Sequence, residues 1–300
     1  MVHADPWASF EDGLMAEPDF IGPFPHQGFL AAAEQAIDPT GELVTFSDAS
    51  GSVALVIENG TVRFAGHESI TDYHSPLGAD ATQVLVSAFG ELGGLEVRLD
   101  SLPQVALETV TTALDRVGAP HTVSQHAATG VLMLPADIED WLMSIGKKER
   151  HEVRRKRRRF ESEYGEIVVE RSGIEALDAF CDLHRTSPGD KGSFMTDRMQ
   201  TFFGALITDA GAIIHDLRCA DGTLASAFGF ETDDAYYYYN SAFDGSAASS
   251  SPGIVLLSML VSAQIDRGAR VFDFLKGAEV YKYRHGAEAR DLFTVEGSLP

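Results

Sequence analysis

The sequence predicts an α+β chain of two similar modules, in which antiparallel hairpins are followed by helix–strand–helix units. Three observations predict it. The chain has 300 residues, about twice the 100–150 of a typical domain. Both halves share one order of elements: hairpin, loop, helix, strand, helix, strand. Both halves also share a register. Ser75-Pro76 and Ser251-Pro252 differ by 251 − 75 = 176 positions, and the strand starts Leu95 and Val271 by 271 − 95 = 176. Two matching offsets point to an internal duplication, although two unrelated units with a common spacing would give the same subtraction.

The elements run in this order. Residues 1–27 are rich in Pro, Asp, Glu and Phe without periodicity and read as a loose N-terminal segment. A first domain is expected over 28–136 and a second over 137–300. Phe29–Ile37 has a helical pattern. Ser52–Glu58 and Thr61–Ala65 flank Asn59-Gly60, a strong hairpin signal because both turn positions of a type I′ turn need positive φ. A loop from Ile70 to Gly78 leads to a helix at Ala81–Leu92, a strand at Leu95–Asp100 and a helix at Gln104–Val117. Two short strands near 121–126 and 130–134 end the first half. Helix signals from Ile138 to Glu163 open the second. They are followed by a strand at Ile167–Glu170, helices near 174–186 and 197–208, and strands at Ile213–Arg218, Leu224–Glu231 and Ala235–Ala242. The turn signals there are Asp221-Gly222 and Asp233-Asp234. A Gly/Ala/Ser loop over 244–253, an apolar helix to Arg267, a strand at Arg270–Leu275, a helix at Glu279–Arg284 and a strand at Leu292–Glu296 complete the chain.

Hydrophobic residues are 44% and charged residues 23% of the chain, which supports a real core and excludes general disorder. The formal net charge is −22, which excludes a protein that coats nucleic acid or anionic membrane with its whole surface. The excess is uneven. Residues 1–140 hold 21 acids against Arg63, Arg98 and Arg116, whereas nine bases lie between Lys147 and Arg159. Met1 to Trp7 has neither the basic nor the apolar region of a signal peptide. The most apolar stretch, Ile254–Ile265, is short of the ~20 residues a membrane span needs. Cys181 and Cys219 are too few for a disulfide framework or a thiolate metal site. A cytoplasmic location without a membrane span is therefore expected. His67, His74, His121 and His126 have no metal-site spacing, so no metal is expected.

The segment 235–275 carries the most chemical information. An aromatic strand ends in Asn240-Ser241-Ala242-Phe243-Asp244, a loop of small residues follows, and a helix starts near Ser251-Pro252-Gly253. Small residues admit a ligand close to backbone, and a helix start offers unpaired N–H groups that suit a pyrophosphate. A flexible linker capped by Ser251 has the same composition.

This order resembles the GNAT superfamily of acyl-CoA N-acyltransferases, and over about 141–297 it resembles the cellulose-biosynthesis-acetyltransferase-like branch. The carrying residues are Arg154-Arg155-Lys156-Arg157-Arg158-Arg159-Phe160-Glu161, Tyr237 to Asp244, Ser251-Pro252-Gly253, and Phe272-Asp273-Phe274-Leu275-Lys276-Gly277-Ala278-Glu279-Val280-Tyr281-Lys282. The usual Gln/Arg-x-x-Gly-x-Gly/Ala loop is degenerate, with only Gly253 kept. The resemblance implies tandem GNAT-like modules, each a mixed, mostly antiparallel twisted sheet flanked by helices, with the second module catalytic. Fem-type peptidoglycan aminoacyl transferases are distant relatives with the same doubling, but no counterpart of their tRNA-contacting helical arm is visible.

The resemblance also implies roles. Acetyl-CoA or another acyl-CoA is the expected donor. Its pantetheine arm would pair with the backbone of Ser241, Ala242 and Phe243, and its pyrophosphate would sit at Ser250, Ser251, Gly253 and Ile254. Transfer to an amine needs a proton acceptor, an oxyanion donor and a proton for the thiolate. Asp273 or Glu279 is expected as the base, Lys282 as the oxyanion donor, and Tyr239 or Tyr281 as the proton source. An Asp–Lys–Glu–Lys ion-pair network would leave the same residue pattern.

The basic helix suggests the acceptor. With Val153 at 0° and 100° per residue, Lys147, Lys148, His151, Arg154, Arg155, Arg158 and Arg159 fill an arc of roughly 100–240° that contains no acid. An anionic substrate, the acidic first half, a nucleic acid or plain solvent would each compensate it. The resemblance favours a small anionic acceptor bearing an amine, held by Arg154, Arg155 and Arg158. His184, Lys191 and Lys276 are further candidates, as are Asp72 and Tyr73 of the first-half loop if they face a cleft. Two other readings stand beside this one. In one, a Fem-like transferase takes its acyl group from aminoacyl-tRNA. In the other, a non-catalytic module binds nucleic acid or an acidic partner through the basic helix.

Overall fold

A computed structural model describes residues 5–8, 10, 20–37, 41–187, 189–220 and 222–300. Most of the loose N-terminal segment, Pro188 and the turn residue Asp221 lie outside the described residues. The chain divides into two compact units, Met1–Ala128 with Arg290–Pro300, and Thr129–Ala289.

Unit one begins with α1 (Gln27–Ala36), followed by the strands β1 (Glu42–Asp48), β2 (Gly51–Glu58) and β3 (Thr61–Phe64). These form an antiparallel meander. The β1–β2 turn is held by the Asp48 carboxylate, which accepts the Ser50 N–H at 2.7 Å. The β2–β3 turn has Asn59 at φ 51° and Gly60 at φ 81°, the two positive-φ positions the hairpin signal required. α2 (Ala81–Glu91) crosses over to β4 (Glu96–Leu102), which pairs parallel with β3. α3 (Gln104–Val117) comes next and ends at Gly118, φ 74°, a left-handed cap suited to glycine. One face of the sheet packs on α2 and α3 through Leu55, Phe64, Val84, Phe89, Leu99, Val110 and Leu114. β5 (His121–Met133) is a single 13-residue strand, where the sequence predicts two short ones.

Unit two takes the second part of β5. The helix signals over Ile138–Glu163 resolve into two helices, α4 (Ile138–Ser144) and α5 (Lys147–Tyr164), separated at Ile145-Gly146. Then come β6 (Val168–Ser172), α6 (Leu177–Arg185), the unforeseen α7 (Asp190–Phe194), α8 (Asp197–Asp209), β7 (Ala212–Cys219), β8 (Gly222–Glu231) and β9 (Ala235–Phe243). The expected loop after β9 is a 3-10 helix, Gly245–Ser250. α9 (Pro252–Arg267), β10 (Val271–Lys276), α10 (Val280–Arg284) and β11 (Glu288–Ser298) complete the chain. The sheet of this unit runs β6-β7-β8-β9-β10-β5. All its pairings are antiparallel except β9–β10, which is parallel.

Side-chain alternation along β9 sends Tyr236 and Tyr238 to the face covered by α4, α5 and α9, where they join Trp141, Phe160, Leu256, Leu260, Phe272 and Phe274. Tyr239 meets Phe203, Phe228 and Phe230 on the other face, where α6 and α8 lie. Both tyrosine pairs are therefore largely interior. On the first face alone each fully buried aromatic contributes on the order of 2–3 kcal/mol of transfer free energy.

The two units repeat one topology: a three-stranded meander, a crossover helix and a parallel strand. β4 and β10 even end alike, with a left-handed non-glycine residue, Ser101 at φ 59° and Leu275 at φ 60°. The sequence order assigns the last strand to the second domain, but β11 pairs with β4, Val295 against Leu99. The end of β5 instead pairs with β10, Leu132 against Phe272. The last strand of the chain thus pairs with a strand of unit one, and the end of β5 with a strand of unit two.

Candidate functional site

β9 and β10 run side by side only from Ala235/Val271 to Tyr237/Asp273. β9 then continues to Phe243 with β8 on one side and no strand on the other among the described residues. Two local irregularities cause the parting. β9 is bulged opposite Phe228 and Gly229, and Gly229 has no room for a side chain: a Cβ there would lie 2.5 Å from the Tyr237 carbonyl. β10 bends at Leu275, whose N–H is accepted by the Asp273 carboxylate at 2.8 Å. The result is a V between two parallel strands, with six residues of strand backbone (238–243) on its open edge.

At the β10 end, the expected catalytic group is engaged in holding the backbone. Lys282 is 2% exposed. Its Nζ donates to the carbonyls of Leu275 (3.0 Å), Lys276 (2.6 Å) and Gly277 (3.3 Å) and lies 3.0 Å from Glu279 Oε2. An ammonium has three protons, so these four oxygens use its donors. Lys282 therefore pins the turn after β10 instead of presenting a donor to an oxyanion. Glu279 is exposed and tied to that lysine. Asp273 is fully buried. Tyr281 packs edge-on against Phe274, and burial pushes its phenol above the ordinary value. Tyr239 is half-buried among Phe203, Phe228 and Phe230. Lys276 is half-exposed at the end of β10.

The start of α9 differs from a phosphate cradle. Ser250 is buried and its hydroxyl donates to the Glu163 carboxylate of α5. Ser251 is left-handed, and its N–H goes to Ala248 O at 3.1 Å. Ile254 and Val255 N–H both go to Ser251 O, and Pro252 has none. Gly253 alone keeps an unused N–H among these residues. The expected pyrophosphate contacts of Ser250, Ser251 and Ile254 are thus spent inside the protein, and a carboxylate stands beside them. Ser241 donates its N–H to Asn240 Oδ1 at 2.7 Å. Ala242 is buried.

The opposite wall of β9 carries a cluster that the sequence only partly indicated. His184 on α6 is 1% exposed and its Nε2 lies 2.9 Å from Asn240 Oδ1. Its ring is flanked by Phe180 and Phe194 at 5.9 and 5.8 Å. Burial, with the neighbouring Lys191 ammonium, holds its pKa below the usual histidine value. Lys191 on α7 reaches over the Phe243 ring, 5.9 Å from its centroid. Packing around its ammonium lowers its pKa, although the side chain keeps an exposed part. Asn240 was missed as a site residue. It is 56 positions from His184, so no local spacing relates them.

The cationic face of α5 is less bare than the sequence predicts. Glu139 of α4 pairs with Arg154 at 2.9 Å, and Glu152 pairs with Arg155 at 2.7 Å. Among the described residues Lys147, Lys148, Arg158 and Arg159 have no ion pair. Asp72 is half-buried. Tyr73 is fully buried inside unit one, where it meets Phe24 and receives a hydrogen bond from Arg290 at 3.4 Å, so it does not line an open cleft. Sequence spacing gave no metal ligands, yet the fold of unit one brings Glu68, Asp100 and His126 within 4.8 Å of one another. The cluster adjoins a cleft of about 190 Å³ lined in part by Arg63, Glu68, Arg98 and Asp100. The Arg98 guanidinium, 3.8 Å from Glu68, already supplies positive charge there. No helix among the described residues is long and apolar enough to cross a membrane.

A meander whose last strand parts from a parallel neighbour, with a helix crossing between them, is the acyltransferase fold of the GNAT type. The family model described as acetyltransferase (GNAT) domain matches residues 147–283, which lie within unit two. Among solved structures, the fold is shared with FemX at TM-score 0.63 and 13% identity, covering 94% of this chain and 93% of that one. It is shared with L-PGS from Bacillus licheniformis at TM-score 0.59 and 13% identity, covering 92% and 93%. A conserved protein of unknown function from Bacteroides thetaiotaomicron matches at TM-score 0.63 and 10% identity, covering 92% of each. No curated protein matches the chain.

Proposed function

We propose that unit two transfers an acyl group, acetyl in the simplest case, from acyl-CoA directly to an amine on a small anionic molecule or envelope precursor. The observation that carries this reading is the open edge of β9 over 238–243. Strand backbone with no neighbour on one side pairs with any extended amide chain, and a pantetheine arm carries two amides. Laid along this edge, it points its thioester into the V beside Tyr239 and Asn240. The amine attacks the thioester carbon, the N–C bond forms, and the C–S bond then breaks with its electron pair on sulfur. The cations Arg158, Arg159, Lys147 and Lys148 supply the attraction for an anionic acceptor. Arg154 and Arg155 join them by exchanging their exposed, weak ion pairs for the ligand. Lys282 acts by holding the turn after β10 in place.

A second donor, aminoacyl-tRNA, is favoured by one observation: the α9 start offers a single free N–H beside the Glu163 carboxylate, which suits a pyrophosphate poorly. Thermal melting separates the two. Saturating acetyl-CoA raises Tm under the first reading, since a ligand at about 100 times its Kd stabilises by ~2.7 kcal/mol. No shift at millimolar acetyl-CoA overturns it. Steeply salt-dependent tRNA binding that is lost in Arg154→Ala/Arg158→Ala supports the second.

A further inference from the structure

Lys191 ends in an ammonium that the fold leaves unspent. Its Nζ makes no hydrogen bond and no ion pair among the described residues. It rests over the ring of Phe243, the last residue of β9. That ring is 37% exposed, and a cation over an exposed ring is a weak contact that uses none of the three N–H donors. The segment that carries Lys191 is nevertheless firmly placed. Gly192 has no room for a side chain, since a Cβ there would lie 2.3 Å from the Ser187 carbonyl oxygen, so α7 turns tightly off the end of α6. Phe194 packs on His184 and Phe203, with ring centres 5.8 and 6.3 Å apart. His184 in turn is bonded to Asn240 of β9 at 2.9 Å. The ends of α6, α7 and β9 form one packed block, and that block sets the Lys191 stem beside Phe243.

The length of the open edge brings a partner to that ammonium. Under the acyl-CoA reading, on which this inference rests, the thioester lies beside Tyr239 and the pantetheine arm runs along β9 towards Phe243. The four strand steps between those residues span ~13 Å. From sulfur to its phosphate the arm is about as long as four to five extended residues, roughly 15 Å. The first phosphate therefore arrives at the Phe243 end of the strand. The start of α9 meets it poorly, with the Gly253 N–H free and the Glu163 carboxylate at Ser250. Gly253 borders the same ring, since a Cβ built on it would lie 3.5 Å from Phe243 Cδ1. We infer that Lys191 is the phosphate-binding residue of the donor site, a role separate from the acceptor binding that the sequence suggested for it. Its ammonium donates to the phosphate oxygens and offsets the Glu163 carboxylate, while its stem stays over Phe243. The consequence is specificity. The chain selects a phosphorylated thioester through a lysine of α7, where the degenerate start of α9 supplies a single N–H.

The test measures Kd on the full chain for three probes: acetyl-CoA, S-acetylpantetheine 4′-phosphate and S-acetylpantetheine. The wild type is expected to hold the two phosphorylated probes roughly 10-fold or more tightly than the third, a preference that shrinks as salt is raised. Lys191→Met keeps an apolar stem over Phe243 and removes the charge. The expected result is a Tm within a few degrees of wild type, unchanged S-acetylpantetheine binding and a phosphate preference that is largely lost. Lys191→Arg, which keeps the charge, should restore most of that preference. A Lys191→Met variant with the wild-type preference overturns the inference. So does weakening by the same factor for all three probes, which is the mark of a structural role. A wild type that binds the three probes equally well overturns it too. A wild type that binds none of them refutes the parent reading, a failure distinct from these.

Discussion

The two units differ most at the equivalent place, where a crossover strand ends beside its parallel neighbour. In unit one β3 stops at Phe64, and His74 bridges the gap beyond it. One ring nitrogen lies 2.8 Å from Gly66 O, just past β3, and the other lies 3.0 Å from Asp100 O and 3.1 Å from Asp100 Oδ1, on β4. The Ser101 hydroxyl also donates to that carboxylate, at 2.6 Å. The gap is stapled by buried side chains. In unit two β9 runs six residues past its ladder, and the polar groups at the end of β10 turn inward on their own turn through Asp273 and Lys282. One scaffold thus gives either a closed or an open V, and the local polar contacts decide which.

Four measurements probe this contrast. The largest effect is expected for Phe272→Ala. The ring is fully buried between Tyr236 and Phe274, and its loss should cost about 3–5 kcal/mol. The loss should appear in urea unfolding and in hydrogen exchange confined to unit two. Next is acid sensitivity in unit two. Burial pushes His215 down to about 4, so the unfolded chain takes up a proton below pH 6.5 that the folded chain refuses. Stability is full above pH 6.5 and falls as pH drops towards 4, by up to roughly 1.4 kcal/mol per pH unit. His215→Leu should flatten that slope in denaturant titrations. His74→Ala removes the staple of unit one. It should cost about 1.5–3 kcal/mol and speed amide exchange at Gly66 and Ser101 while leaving β9 unaffected. The smallest is Arg154→Ala, an exposed pair that should change stability by less than about 1 kcal/mol while weakening binding of an anionic acceptor. If it destabilises as much as His74→Ala, the α5 face is structural.

Local signals carried much of this architecture. Asn59-Gly60 gave its hairpin because only a few residues tolerate two successive positive φ values, and the helix expected at Gln104–Val117 matches α3, which Pro103 and Gly118 bound. The 176-residue offset reflected a real repeat of topology. The features that escaped depend on partners distant in sequence. β5 looked broken at Ala127-Ala128-Thr129-Gly130, yet it stays extended because its two parts pair with different strands. The Ile145-Gly146 break between α4 and the basic helix α5 carries no proline to announce it. At the site, the strand ends and the aromatic wall were legible. The engagement of Lys282 with three carbonyls and of Ser250 with Glu163 was not, since each joins separate turns or elements. His184 was a candidate for binding the acceptor, but its bond to Asn240 was not legible, since the two are 56 residues apart.

The exchange of closing strands has a consequence for how the chain is made. β11 begins at residue 288, and β4, its partner, ends at 102, a separation of 288 − 102 = 186 residues. On the ribosome the first unit must wait with the β4 edge uncovered while nearly two thirds of the chain is still being synthesised. An uncovered edge invites wrong pairing. A fragment cut at residue 136 never receives its last strand, so the two halves of the sequence are not two independently folding pieces.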